Sequence, residues 1–81
     1  MTLQIKLFAA AAQLADADQL TVTCQFPLTL QQLRDQILQE NPALADIIPF
    51  CRIAVDHEFA NEDCSISATS EVALIPPVSG G

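Results

Sequence analysis

The chain has 81 residues, about half of them hydrophobic, so it can form one small domain with a buried core. The chain has ten acidic residues against three Lys and Arg, which gives a net charge of −7. This charge excludes binding to the phosphates of nucleic acid or of anionic membranes. Such a surface favours a basic protein partner. The alternative is that the charge serves only solubility, and charge alone does not distinguish the two. The apolar runs are too short to span a bilayer, and the N-terminus lacks signal-peptide character. We therefore expect a soluble, cytoplasmic protein.

The first third of the chain predicts a β-hairpin. Residues 3–8 alternate apolar and polar side chains, which is the period of a half-buried strand. The Ala-rich residues 9–15 favour a short helical turn. Residues 20–26 alternate again and are expected to pair antiparallel with the first strand.

The main helix has a clear start and a clear stop. Thr29 followed by Gln32 forms a capping box, in which each side chain accepts from a free backbone N–H of the first turn. Asn41 and Pro42 end the helix, because proline disfavours helical backbone at the preceding residue. One apolar stripe then faces the core. It consists of Leu30, Leu33, Ile37 and Leu38.

The second half of the chain predicts three more strands. Residues 51–56 form a strand, residues 57–60 turn into a short edge strand, and a polar stretch covers 61–70. The last strand, 72–75, ends at two prolines that cannot continue a β-ladder. The order of elements predicts an α+β roll over residues 1–75, with one main helix across one face of a mixed sheet. Its first and last strands are expected to lie side by side in the middle.

Few side chains offer catalytic or metal-binding chemistry. Cys24, Cys51 and Cys64 are widely spaced, form no Cys-x-x-Cys pair and have only His57 to join them. Zinc and iron–sulfur sites require close ligand pairs or clusters, so we predict reduced thiols and no metal site. His57 is expected to be a solvated loop residue rather than a base.

The only two glycines, Gly80 and Gly81, are the last two residues. Without a Cβ, they can enter a narrow channel and bring the terminal carboxylate to ATP. A terminal carboxylate typically has a pKa of about 3.5, so it is ionised at neutral pH and is a poor electrophile until it is adenylated. A sulfur donor can then convert it to a thiocarboxylate. Pro76 and Pro77 favour an extended arm, so residues 76–81 are predicted to be a flexible, sulfur-carrying tail. The alternative is an inert terminus.

An apolar patch is predicted at the root of this tail. In the two strand patterns, Phe8 and Ile75 both point away from the expected core face. If the first and last strands are neighbours, the two side chains form an exposed patch of the kind that docks partner proteins. The alternative is that the segment Ala9–Ala15 covers them.

The sequence resembles the small subunits of molybdopterin synthase. Residues 71–81, ending in Pro-Pro-Val-Ser-Gly-Gly, carry the most specific part of the resemblance, and residues 5–9 and 53–58 support it. The resemblance implies a ubiquitin-like β-grasp fold. It also implies a sulfur carrier for molybdenum cofactor biosynthesis, in which the thiocarboxylate donates sulfur to cyclic pyranopterin monophosphate.

The resemblance also assigns roles and partners. It implies that Gly81 is adenylated and carries the sulfur, beside Gly80, and that Phe8 and Ile75 contact a partner. The arm inserted into the large subunit would be Pro76, Pro77, Val78 and Ser79. Catalytic residues would lie on that large subunit, in a heterotetramer of two small and two large subunits, so this chain would itself be non-catalytic.

The resemblance implies two further partners. It implies no tightly bound cofactor. A ubiquitin-activating-type adenylyltransferase would use ATP, and a cysteine desulfurase or rhodanese-like protein would supply sulfur. Two alternatives remain open at this point. They are a carrier for thiamine or tRNA thiolation and a ubiquitin-like binding module with an inert tail.

Overall fold

A computed structural model of the chain describes residues 1–77. It contains seven strands, two α-helices and two 3₁₀ turns in that range. In chain order they are β1 (Thr2–Leu7), α1 (Ala9–Ala15), β2 (Gln19–Thr23), β3 (Leu28–Thr29), α2 (Leu30–Glu40), the 3₁₀ turns Pro42–Leu44 and Ile48–Phe50, β4 (Arg52–Val55), β5 (Glu58–Phe59), β6 (Ser65–Ile66) and β7 (Val72–Ile75).

Five strands form a mixed sheet in the order β2-β1-β7-β4-β5. Strand β1 pairs parallel to β7, and the other neighbouring strands of this sheet pair antiparallel. The predicted α+β architecture is confirmed, as are the β1–β2 hairpin, the adjacent first and last strands, and the edge position of β5. A second sheet joins only β3 and β6.

One face of the main sheet forms the core, because the strands alternate apolar and polar residues. Leu3, Ile5 and Leu7 of β1 are buried together, and β7 contributes Val72 and Leu74. Helix α2 packs over them with three side chains of the predicted stripe, while the fourth is only partly buried. The buried three are Leu30, Leu33 and Ile37, and the fourth is Leu38.

The predicted capping box fixes where α2 begins. The backbone N–H of Gln32 donates to Thr29 Oγ1 at 3.1 Å, and the N–H of Thr29 donates to Gln32 Oε1 at 2.9 Å. Both donors would otherwise lack an intrahelical acceptor. Helix α2 has 11 residues, and within residues 1–77 no helix is long and apolar enough to cross a membrane.

The structure differs from the sequence-based expectations mainly at element ends. Strand β1 stops at Leu7, so Phe8 follows the strand and precedes α1. The small β3–β6 sheet was not predicted, because two-residue strands have no measurable alternation. It explains why Ile66 interrupts a polar stretch, since that side chain is fully buried in the core.

The tight turns of the described chain use residues other than glycine. Ala9, Asp16, Asp56 and His57 all have φ between 50° and 72°. Asp56 and His57 are consecutive and join β4 to β5, where glycine at one position is the usual solution. Positive φ brings Cβ close to the backbone and costs about 1 kcal/mol for a residue other than glycine. The fold therefore accepts some local strain, while both glycines lie outside the described residues.

Candidate functional site

The face of the sheet opposite α2 has a shallow groove. Strand register places Ala54 directly opposite Ala73, and Lys6 on the other side of Ala73. Phe59 pairs with Ala54, so it lies on the same face at the sheet edge. Because two small side chains meet in the middle, the larger ones around them form the walls. We call this depression the open-face groove.

The groove reaches from the β4–β5 turn to the end of β7. Its floor and walls come from β1, β4, β5 and β7 together with the residues that flank them. The lining residues are Lys6, Phe8, Ala54, His57, Phe59, Glu71, Val72, Ala73 and Ile75.

Phe8 and Ile75 are brought together at one end of the groove. Phe8 is 49% exposed and Ile75 is half-buried, so helix α1 does not cover the pair. The exposed apolar patch expected from the strand patterns is therefore present. Its role as a partner contact stays a prediction.

Sequence reasoning also missed the contact between Arg52 and Phe59 on this face of the sheet. The Arg52 guanidinium carbon lies 3.8 Å from the centroid of the Phe59 ring, within cation–π range. Phe59 is 54% exposed, and Arg52 is the register partner of Ile75. A contact of this kind at an exposed site contributes about 0.5–1 kcal/mol. Alternation about Ile53 could have placed Arg52 on the open face, but its pairing with Phe59 depends on the hairpin register.

The basic side chains are unevenly distributed. Arg34 on α2 forms an ion pair with Glu62 at 2.9 Å. The other two, Lys6 and Arg52, lie on the open face, and no carboxylate of residues 1–77 is within ion-pair distance of either. An acidic protein thus presents two of its three Lys and Arg side chains on one face.

The far end of the groove is closed by a polar cluster. His57 Nε2 lies 3.0 Å from Glu71 Oε2, with both side chains largely exposed. The N–H of Glu71 donates to Asp56 Oδ1 at 2.9 Å, and the N–H of Asp56 donates to the Glu71 carbonyl at 2.8 Å. These bonds join the β4–β5 turn to the start of β7. His57 is thus an exposed residue in contact with Glu71, as expected for a solvated turn.

The cysteines pack as core residues. Cys24 and Cys51 are buried, and burial raises the pKa of both thiols. At neutral pH they are therefore protonated and poor nucleophiles. Cys64 is partly buried, and none of the three is in a disulfide. Within residues 1–77 no cluster of three or more His, Cys, Asp or Glu could hold a metal ion.

The chain leaves the sheet next to the apolar end of the groove. Ile75 is the last paired residue of β7, and the following Pro76 has no N–H to extend the ladder. Pro76 is buried and Pro77 is exposed. Val78, Ser79, Gly80 and Gly81, the rest of the predicted tail, lie outside the described residues.

Comparison with known proteins decides the family. Residues 5–81, nearly the whole chain, match the ThiS family. The chain belongs to the ThiS family. Among its relatives is the molybdopterin synthase sulfur carrier subunit of Caenorhabditis briggsae, 34% identical over 100% of this chain and 99% of the relative. The corresponding subunit of Arabidopsis thaliana is 28% identical, over 98% of this chain and 82% of the relative.

Solved structures agree with this ThiS-family assignment. The crystal structure of SAMP1 from Haloferax volcanii superposes with a TM-score of 0.84 at 27% identity, and the match covers 100% of both chains. The α+β sheet with its helix is the ubiquitin-like β-grasp fold that the resemblance implies. The expected fold and the expected family are both confirmed.

Proposed function

We propose that this ThiS-family protein is the sulfur carrier subunit of a molybdopterin synthase and acts in molybdenum cofactor biosynthesis. The observation that carries the proposal is the end-to-end match to the C. briggsae sulfur carrier subunit. The match spans the tail as well as the domain. The open-face groove supports it, because it places an apolar surface beside the point where the tail leaves the sheet.

The proposed chemistry takes place at the Gly81 carboxylate. An activating enzyme transfers the adenylyl group of ATP to a carboxylate oxygen and releases pyrophosphate. Sulfide from the sulfur donor then attacks the acyl carbon and displaces AMP, which leaves a thiocarboxylate. In the large subunit, the thiocarboxylate sulfur forms a C–S bond to cyclic pyranopterin monophosphate as a C–O bond of that substrate breaks. Hydrolysis of the resulting thioester leaves the sulfur on the substrate and regenerates the carboxylate. ATP is thus a substrate of the activating enzyme, and this chain holds no cofactor of its own.

Each part of this chain has a separate task in the proposal. Buried Pro76 fixes the base of the arm, and exposed Pro77 starts an extended segment, since proline restricts φ. Gly80 and Gly81 enter the partner's channel. Phe8 and Ile75 dock against the large subunit in a complex of two small and two large subunits, and the catalytic residues belong to that subunit. The proposed site of action is the cytoplasm.

Intact-mass spectrometry tests the carrier chemistry. Purified protein is incubated with ATP, a ubiquitin-activating-type adenylyltransferase and a sulfide source. We expect the mass to rise by the difference between one sulfur and one oxygen, with the change located at Gly81. A variant lacking Gly81 is the control and should fold normally without gaining mass. An unchanged wild-type mass, under conditions that charge a known carrier, would contradict the proposal.

A second assay separates the proposed pathway from the two alternatives. The charged protein is mixed with the large synthase subunit and cyclic pyranopterin monophosphate, and molybdopterin is measured. Product formation supports the synthase role. A protein that gains sulfur but forms no molybdopterin would instead point to thiamine or tRNA thiolation. One that binds partners equally well without Gly81 would be a binding module.

A further inference from the structure

We propose that Arg52 recognises a carboxylate on the large subunit, at the mouth of the channel that takes the tail. The proposal rests on the synthase function argued above and adds a residue that sets docking register. Arg52 lies outside the Phe8–Ile75 patch on which that function draws. Its position, its contact with Phe59 and the absence of an acidic partner for it among residues 1–77 carry the inference.

The position of Arg52 follows from strand register. Arg52 on β4 pairs with Ile75, the last paired residue of β7 before the tail begins. Side chains of paired residues project on the same face of a sheet, so Arg52 starts from the face and strand position of Ile75. Its guanidinium extends from there over Phe59 on the other side of β4. A protein that takes in the tail must cover Ile75, and it then also covers Arg52.

The contact with Phe59 holds the guanidinium in place. The guanidinium carbon lies over the aromatic ring, 3.8 Å from its centroid. The N–H groups at its edge remain available to an acceptor. A planar guanidinium binds a carboxylate through two parallel N–H···O bonds, and a prearranged one loses less conformational freedom on binding.

The charge distribution indicates a carboxylate as the acceptor. Arg34, on the helix side, has its acidic partner in Glu62. Arg52 has no carboxylate of residues 1–77 within ion-pair distance, although the chain carries ten acidic residues. Covering a cation with a protein surface is costly unless an anion is supplied with it. The partner must therefore bring the negative group.

The net charge of −7 and this local cation have different effects. The overall negative field steers the domain toward a basic partner surface and raises the association rate. A single carboxylate within that basic surface, opposite Arg52, would fix the orientation in which the tail meets its channel. A nucleic acid does not fit, because its phosphates would meet the acidic remainder of the surface.

The test compares binding of purified large subunit to wild-type protein and to variants, by calorimetry at two salt concentrations. Arg52→Gln should weaken binding by about tenfold or more, and its affinity should respond less to salt than that of the wild type. Arg52→Lys keeps the charge but loses the planar fork, so it should recover only part of the affinity. Arg34→Gln removes an equal charge from the helix side and should bind within about twofold of wild type.

The outcomes of these binding measurements distinguish a failure of this inference from a failure of the proposed function. If wild-type protein fails to bind the large subunit, the synthase function itself is wrong. If wild type binds and Arg52→Gln binds equally tightly, only the role of Arg52 is overturned. Equal loss in Arg52→Gln and Arg34→Gln would also overturn it, since a general charge effect would then suffice. Unfolding midpoints of all variants, measured in urea, identify any loss that comes from the fold.

A final variant tests the part assigned to the aromatic ring. Phe59→Leu keeps an apolar side chain but removes the π face under the guanidinium. As a single substitution, Phe59→Leu should weaken binding to the large subunit. Added to Arg52→Gln it should have a smaller effect, because the two residues act together. Additive losses would contradict the proposal that Phe59 positions Arg52.

Discussion

The two faces of the central sheet differ in what covers them and in what they can do. The core face is sealed by α2, whose Leu33 and Ile37 are fully buried against strand residues such as Ile5. The open face has alanines at its centre and half-exposed aromatic side chains at its margin. It also carries two cations, Lys6 and Arg52, that have no ion-pair partner among residues 1–77. One face therefore supplies stability, and the other is free for recognition. Mutations on the two faces should separate these properties.

The largest expected effect is on the core face. Leu33→Ala removes a fully buried side chain from α2 and should lower the free energy of unfolding by about 2–5 kcal/mol. That is a large part of the roughly 5–15 kcal/mol typical of a small domain. Urea denaturation measures it. Leu14→Ala, at a position 47% exposed on α1, is the control and should change the value by about 0.5 kcal/mol or less.

On the open face, binding should change much more than stability. Phe8→Ala should weaken binding to the large subunit by about tenfold or more, because aromatic side chains at the centre of an interface carry much of its energy. Its unfolding free energy should fall by no more than about 1 kcal/mol, since Phe8 is 49% exposed. The matched control is again Leu14→Ala, which is equally exposed but outside the groove. Equal binding by the two variants would contradict the assignment of the groove as a docking surface.

A smaller effect is expected where α2 begins. Thr29→Ala removes the acceptor for the Gln32 N–H and should cost about 1 kcal/mol of stability. Thr29→Ser retains the hydroxyl and should stay close to wild type. Affinity for the large subunit should be unchanged in both, as measured in the same calorimetric assay. A binding defect in Thr29→Ala with unaltered stability would show that the two faces are not separable.

The smallest effect concerns Glu40 at the end of α2. The Gln36 side chain donates to Glu40 Oε2 at 2.6 Å and the Thr23 N–H donates at 2.9 Å, and these bonds hold the pKa of Glu40 below its ordinary value. A carboxyl with a lowered folded pKa stabilises the fold at neutral pH, and that contribution is lost as the pH falls through the folded pKa. Gln36→Ala should raise the pKa of Glu40, as followed by NMR titration. Gln39→Ala, which removes a neighbouring amide, should leave it unchanged.

Much of the fold could be predicted because local chemistry specifies it. The Thr29–Gln32 capping box and Pro42 bracket α2, and both depend only on residues close in sequence. The alternation around Ile5 gives the buried face of β1 without knowledge of its neighbours. The β3–β6 pair could not be predicted, because Leu28 and Ile66 meet only after the rest of the chain has folded.

The candidate site was predicted in part for the same reason. Alternation placed Phe8 and Ile75 on one face, and the prolines marked where the tail begins. The floor of the groove could not be found in this way, because Ala54 and Ala73 are unremarkable until register sets them side by side. The contact of Arg52 with Phe59 could not be found in this way either, because it requires both the β4–β5 hairpin and the β4–β7 pairing.

The sequence by itself determined the start and end of the helix, and which side of each main strand faces the core. These depend on residue type and short-range spacing. The sulfur-carrying tail chemistry stays a prediction from the ending Pro-Pro-Val-Ser-Gly-Gly. Tertiary structure alone decided which side chains share the open face and where the cations lie. The physical reason is that a period of two fixes the face of a residue but not its cross-strand neighbour. That neighbour is set by long-range pairing, and here it places Arg52 beside the root of the tail.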